Sequence, residues 1–451
     1  MSLLKIYIMN VVLSACAQEK HKTEHQITND FSYNHDLDNN DNFSPDDKWL
    51  VYDTRTEEGG IGACGKIEKV NIETGEKVVM YALKENKAYG PGVGAVSYSH
   101  TDNQVVFIHG LMNITPENPY QQWRRTGVIV KDSDLGTPIF MDARDTSFPF
   151  TAGALRGGTH RHEWSGDGNW IGYTYNDAIM QQLEDSTGLP LNLRTIGVSK
   201  NIQPVFVNDI NNRENVSGEW YSVLVVKVVP NPTPGSDEIS RAAGDSWVGI
   251  SGYKKPDGTT QRARAFIGTV KNKKGENIDE VFIVDIPEDI TQSGALGMLE
   301  GDLTSMPSPP KGTQQRRLTF TADSLISGCQ GIVRSSFDGS LLAFQAYDEK
   351  NIKQVYTISP LGGKPVQQTF HDNDVESGVR WHPSEHRFSY VCQNSIISRK
   401  IGEKEFDILT KPSNHPPADH VWSHDGEKIA YNRIVTNEKG ESSKQIFVIH
   451  L

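Results

Sequence analysis

The chain has 451 residues, with 45 Lys+Arg against 57 Asp+Glu, a formal net charge of −12, 36% hydrophobic residues, 40 Gly and only four Cys. An acidic chain with a pI near 5.6 lacks the dense basic face that nucleic-acid binding needs, and no stretch approaches the ~18–20 apolar residues of a membrane-spanning helix. The four Cys are scattered and form neither a disulfide framework nor a Cys-x-x-Cys pair. Length alone suggests about three domains, and the balance of charged and apolar residues excludes a disordered chain.

In chain order, residues 1–16 (MSLLKIYIMNVVLSAC) come first. Lys5 gives a positive start, Ile6 to Leu13 a short apolar run, and Leu13-Ser14-Ala15-Cys16 resembles a bacterial lipobox. That resemblance implies a signal peptide over residues 1–15 and a lipid on Cys16, hence an exported lipoprotein of the outer membrane. Residues 16–42 are polar, without apolar periodicity, and read as a tether. The folded domain is expected over 43–451.

A motif then recurs, an apolar or aromatic residue followed by Ser/His-x-Asp/Ser and a β-rich run. It appears as FSPDDKWLVYD (43–53), YSHTDNQVVFIHG (98–110), WSGDGNWIGYTYND (164–177), SSFDGSLLAFQAYD (335–348), WHPSEHRFSYVCQN (381–394) and WSHDGEKIAYNR (422–433). Each copy joins two alternating runs through turn chemistry, the signature of a hairpin. The last three copies start at 335, 381 and 422, a spacing close to that of a four-stranded blade. Between Ser165 and Ser336 no copy appears, but EWYSVLVVKVV (219–229), RARAFIGTV (262–270) and EVFIVDI (280–286) supply the strands of one more blade. The fold class is therefore all-β, a seven-bladed β-propeller with the strand before each turn innermost.

On that layout the unusual residues cluster in the second and third repeats. His160 and His162 alternate in ALRGGTHRHEWSGDG (154–168), beside Arg161 and Glu163 and after a Gly-Gly that admits a ligand to the backbone. Each is read as a metal ligand, a general base or a polar core residue. His420 precedes Trp422 by two residues as His162 precedes Trp164, so the pair share a rung. With Cys329 near the start of another inner strand they form a set soft enough for a divalent metal, zinc before calcium. Trp123, Arg124 and Arg125 are placed to stack on a sugar or clamp an anion, and with Arg156, Arg161 and Arg194 they predict a local basic cleft. No GxSxG, HExxH or GxxxxGK[ST] occurs, so hydrolase triads and nucleotide chemistry have no support.

FIHG (107–110), ALRGGTHRHEWSGDG, YTYND (173–177), LRTIGV (193–198), PTPGSDEISRAAGDSWVG (232–249) and QQRRLTF (314–320) resemble the Tol-type propellers that include the ulvan lyases of polysaccharide lyase family 25, and an uncharacterised enterobacterial propeller family. The resemblance implies β-elimination on a sulfated, uronate-containing polysaccharide such as ulvan. It implies His109 and Tyr175 as the catalytic His and Tyr, and Arg194 as the cation that neutralises the uronate carboxylate. His160 and Arg161 are expected to bind substrate alongside Trp123, Arg124 and Arg125. The family's second His has no counterpart between His109 and His160, and Tyr175 and Arg194 are 19 residues apart. Two other readings follow: a non-catalytic propeller that binds glycan or an envelope protein, and action on another acidic glycan such as pectic oligogalacturonides. A monomer is expected.

Overall fold

The repeated turns explain themselves in hydrogen bonds. In the computed structural model, which describes residues 17–56 and 60–451, the turn serine donates to the aspartate two residues on. The pairs are Ser44–Asp46 at 2.7 Å, Ser165–Asp167 at 2.6 Å, Ser336–Asp338 at 2.7 Å and Ser423–Asp425 at 2.5 Å. The same hydroxyl accepts the backbone N–H that opens the next strand, at Trp49, Trp170, Leu341 and Lys428. Each turn is thus closed by its own side chains before any tertiary contact is made.

These turns organise seven blades around a channel. In chain order their sheets run over Trp49–Ala82, Val93–Phe140, Gly157–Leu224, Ile239–Arg317, Ser327–Gln367, Arg380–Ile408 and Ala418–His450. The first blade takes its innermost segment from residues 36–43, which bridge Asp53 and Leu50. The fourth is the blade without a motif. Its inner strand is Ile239–Trp247, and a two-strand hairpin, Tyr253–Lys254 with Thr260–Gln261, replaces the tight turn. Tyr221–Leu224, assigned from sequence to this blade, is instead the outer strand of the third.

Among the described residues the apolar side chains form seven clusters, one between each pair of neighbouring blades, and none at the centre. That is why 36% hydrophobic residues suffice: each interface is one thin layer. The tryptophans that end the inner strands add a polar lock. Trp247 Nε1 donates to Glu163 O (2.9 Å), Trp381 Nε1 to Arg334 O (3.0 Å) and Trp422 Nε1 to Arg380 O (3.2 Å), each reaching the preceding blade at the equivalent rung.

Residues 17–42 do not form the expected tether. Glu24–Gln26 is the outermost strand of the seventh blade, antiparallel to Ser442–His450, and Ala17–Glu19 adds a parallel fifth strand to the sixth blade beside Phe406–Ile408. Leu37 is fully buried between the first and last blades. Short polar strands at a sheet edge draw their stability from the ladder and carry little apolar pattern of their own, so they read as linker. The lipobox and Cys16 lie outside the described residues.

Five inner strands share one irregularity. Each bulges at the same height, with a residue of positive φ: Ala95 (53°), Arg161 (51°), Gly244 (64°), Gly331 (83°) and Asp419 (50°). Bulges re-aim side chains, and here three of the five residues are Gly or Ala while Arg161 and Asp419 line the channel.

Candidate functional site

The face opposite the repeated turns carries the long connections. Residues 111–124 of the second blade and 178–194 of the third, with the helix Ala178–Thr187, gather at this mouth. Asp177 sets up the third blade's share. Its Oδ1 caps the helix at Met180 N (2.9 Å), and its Oδ2 accepts from Arg156 Nε (3.0 Å), Arg156 Nη2 (2.9 Å) and the Tyr175 hydroxyl (2.9 Å). Arg156 also reaches Asp302 O and Ser305 O of the 286–313 connection. Tyr175 and Arg156 are therefore built into the scaffold.

Beside them lies a hydrogen-bond chain that does face the mouth. Asn176 Nδ2 donates to Asn192 Oδ1 (3.1 Å), which turns Asn176 Oδ1 toward Arg194 Nε (3.2 Å) and His160 Nε2 (3.1 Å). An amide oxygen only accepts, so His160 carries its proton on Nε2 and keeps a lone pair on Nδ1, which has no partner. Arg194 Nη2 donates to Gln122 Oε1 (3.1 Å), joining the third blade to the second. Arg125 is held by the Tyr120 hydroxyl (2.6 Å) and Gln122 O (3.2 Å).

Two adjoining cavities open here, of about 170 and 450 Å3, and Arg161 and Arg334 wall both. Arg194 and Arg241 line the first, Arg380 and Glu376 the second. Glu163 at the base pairs with Arg334, and with Arg264 at 3.2 Å. Among the described residues no carboxylate forms an ion pair with Arg125, Arg161, Arg194, Arg241 or Arg380. The crowding shows in their acidity. Burial, then Arg125 and Arg241, push Arg194 down to about 10, and burial, then Arg334 and Arg161, push Arg380 down to about 9. His160 is pushed well below the usual imidazole range by burial, then by Arg125 and Arg194, and is neutral at pH 7. The arrangement suits an anion, which would relieve this repulsion.

The structure brings some of the expected residues together: Arg161 and Arg194 line the cavities, while His160 and Arg125 are buried beside Arg194 and line neither. Arg124 is drawn away into an ion pair with Glu214 (2.7 Å), which also binds Arg144 (3.2 Å). Trp123 is half-buried on the connecting turn and lines neither cavity. His109 is buried between the first and second blades, its Nε2 on the Tyr81 hydroxyl (3.0 Å) and its Nδ1 against Gly110 O, and burial pushes it down to about 4. Tyr175 is fully buried, and burial, then Asp177, drives its hydroxyl well above the usual phenol range, the opposite of what a base requires. Gly157-Gly158 admits the chain itself: a Cβ on Gly158 would stand 2.2 Å from Gln122 O, and one on Gly157 2.0 Å from Asn176 O.

The metal set does not assemble. His162 bonds Thr159 Oγ1 (2.9 Å) in a buried chain that ends on Asp142, whose carboxyl burial pushes up to about 7. Cys329 faces Thr319 in the core between the fourth and fifth blades, and His420 lies buried on the seventh. Among the described residues no group of three or more His, Cys, Asp or Glu is placed to hold a metal ion. His162 and His420 do occupy equivalent rungs, each just after a bulge residue, but equivalent seats on a ring are held apart by its rotation.

Arg241, Arg334 and Arg380 were missed. A signal existed for two of them: Arg334 and Arg380 sit two residues before the first turn residue, Ser336 or His382, the rung that Glu163 occupies before Ser165. Arg161 offers a test of the mouth. A non-glycine residue at φ 51° is strained by roughly 1–2 kcal/mol, so Arg161→Gly should leave stability unchanged or raise it by up to about 1 kcal/mol. The same change should weaken the binding of an anion at the mouth at least ~10-fold, the loss of one charge-assisted contact. Urea unfolding and calorimetric titration of the variant check both halves.

Comparisons with known proteins give the chain relatives. Residues 92–215 match the family described as "Protein of unknown function (DUF3748)". Over 412 residues the chain is 39% identical to the "Uncharacterized protein YidR" of Escherichia coli (strain K12), covering 88% of this chain and 92% of that protein. Similar solved structures include the polysaccharide lyase Uly1 (11% identity, 94% of this chain and 91% of that one, TM-score 0.48). They also include an oligogalacturonate lyase from Vibrio parahaemolyticus (12%, 95% and 93%, TM-score 0.39). A puromycin hydrolase matches at 9% identity and TM-score 0.47 over 88% of this chain, which spans 52% of the hydrolase. These structural likenesses are of fold.

Proposed function

The chain belongs to the family of the Escherichia coli protein YidR, and from its mouth geometry we propose that it binds a uronate-bearing polysaccharide there and cleaves it by β-elimination. The observation that carries the reading is the set of four guanidiniums on the cavity walls, Arg161, Arg194, Arg241 and Arg380, without ion-paired carboxylates among the described residues, beside a neutral histidine. A uronate carboxylate on Arg194 and Arg241 would be neutralised, which acidifies the adjacent C5–H. His160 stands behind Arg194 with its Nδ1 buried and without a partner, so its lone pair comes into reach only as Arg194 moves onto the carboxylate. An anion on Arg125 and Arg194 cancels two of the charges that depress His160, so its basicity rises as the ligand arrives. The C5–H bond breaks, the C4–O bond follows, a C4–C5 double bond forms, and the proton passes from His160 to the leaving oxygen. An exported lipoprotein, as the first 16 residues lead one to expect, would meet such a polymer at the cell envelope.

A second reading, binding without cleavage, is favoured by one observation: His109 and Tyr175 are both satisfied inside the scaffold. One experiment separates the two. Ulvan and oligogalacturonides are incubated with the protein while absorbance is followed near ~235 nm, about where an unsaturated uronate absorbs, and binding is measured in parallel by calorimetry. Arg194→Ala and His160→Ala are expected to lower the rate about 10²–10³-fold, whereas Tyr175→Phe lowers stability and leaves the rate within about 3-fold. Binding without absorbance change selects the second reading, and neither signal overturns both.

A further inference from the structure

The channel has a second mouth, on the face of the repeated turns, and its character differs. A cavity of about 350 Å3 there is walled by Trp164, Trp247, Trp381 and Trp422, with Ile250 and Phe337 also on its lining. Three of the four indoles spend their N–H on a neighbouring blade's carbonyl. Arg264 lies over the Trp247 ring and His382 packs on Trp422, so the cavity offers mainly the remaining ring edges and the half-buried Trp381. Trp164 is the exception: it is 1% exposed, and its Nε1 has no partner.

Arg334 and Arg380 line this cavity as well as the one behind it. The nearby carboxylates are already engaged: Asp245 with Arg264, Glu163 with Arg334 and Arg264, and Asp41 with His100 at 3.4 Å. Arg380 donates to Asn40 Oδ1 (2.9 Å) and His420 O (2.9 Å), both neutral, and among the described residues it forms no ion pair, Asp41 and Asp419 acting on it only at longer range. Arg334 is 8% exposed and its Nε lacks a partner. Buried donors without acceptors are rare in folded proteins and call for a partner.

We infer that the turn-face mouth is a second ligand site, which takes a small organic anion with a flat apolar body. The acid group sits on Arg380 and Arg334, and the body packs against Trp381 and the remaining tryptophan edges, which favour flat rings. The site shares Arg334 and Arg380 with the arginine-lined mouth but opens on the other face and takes a different ligand class, since that mouth offers hydrogen-bonding polar walls and no tryptophan.

Two dyes of the same shape test it, the anionic 8-anilinonaphthalene-1-sulfonate and the neutral N-phenyl-1-naphthylamine. With the full-length protein, the sulfonate should bind at one equivalent, quench tryptophan emission, and bind at least ~10-fold more tightly than the neutral dye, the worth of a charge-assisted contact. Arg380→Gln should bring the sulfonate to the neutral dye's affinity. Arg194→Ala, at the other mouth, should leave it unchanged. Ile250→Glu places a like charge at a 52% exposed lining position and should weaken the sulfonate more than the neutral dye, which decides the matter if Arg380→Gln does not fold. Equal affinities, more than one equivalent, loss of binding in Arg194→Ala, or no effect of Ile250→Glu would each overturn the site.

Discussion

Replacing Glu163 by alanine is expected to destabilise the protein by about 3–5 kcal/mol, the range for breaking a buried ion pair by removing one partner. The carboxylate ties four blades at one point. It holds Arg334 of the fifth blade and Arg264 of the fourth (3.2 Å), accepts from Trp247 N (3.3 Å), and takes Asn40 Nδ2 from the first blade's inner segment (3.2 Å). Arg264 would still have Asp245. Arg334 would have no carboxylate left, and it is buried, so the alanine variant strands a charge rather than merely losing a bond. Glu163→Gln keeps the acceptor and should lose roughly half as much. Urea unfolding of the two variants beside the parent measures this, and a loss below about 1 kcal/mol for the alanine would mean that solvent already shares Arg334.

The second large effect lies at the chain's beginning. Removing residues 17–27 should lower stability on the order of 3–5 kcal/mol, about 1 kcal/mol for each lost backbone hydrogen bond. The bonds include Lys20 N to Ile408 O (3.1 Å), Lys22 N to Leu409 O (2.8 Å) and Ile27 N to Ile446 O (2.8 Å), besides the ladder of Glu24–Gln26. Glu24 also accepts from the Tyr431 hydroxyl (2.7 Å) and from Arg433 (2.9 Å). The deletion bares the edge of Ser442–His450, so the truncated protein should self-associate more than the parent. Denaturant midpoints together with light scattering test both halves, and a monomeric truncation of unchanged midpoint would show that the two strands are ornaments of the edge.

Much of this was legible in the sequence where the chemistry is local. Four Ser-x-Asp turns close on themselves, and the related turns after Tyr98 and Trp381 keep enough of the pattern for six blades to be counted from it. The fourth blade was hidden because the hairpin over 253–261 takes the place of that turn. The strands at 17–19 and 24–26 were invisible for the opposite reason, since their partners lie more than 380 residues away. For the site, Arg125, Arg161 and Arg194 were readable as cations beside Gly-rich and aromatic segments. His109 and Tyr175 were not, because strand alternation tells which side a residue takes, and each side of a blade packs on a neighbour except near the channel. His162 and His420 show the same limit, since a shared rung gives a shared environment without giving a meeting point.

The seventh sheet has a consequence for how the protein comes to be made. Glu24–Gln26 pairs with Phe447–Ile449, so an early strand must wait for a very late one. Until residues 447–449 have been made, the early segment has no sheet to join, and blades can accumulate only as an open arc with two raw ends. Whatever holds residues 24–26 back therefore also holds the ring open, and its release together with the arrival of residues 447–449 times the closing of the propeller.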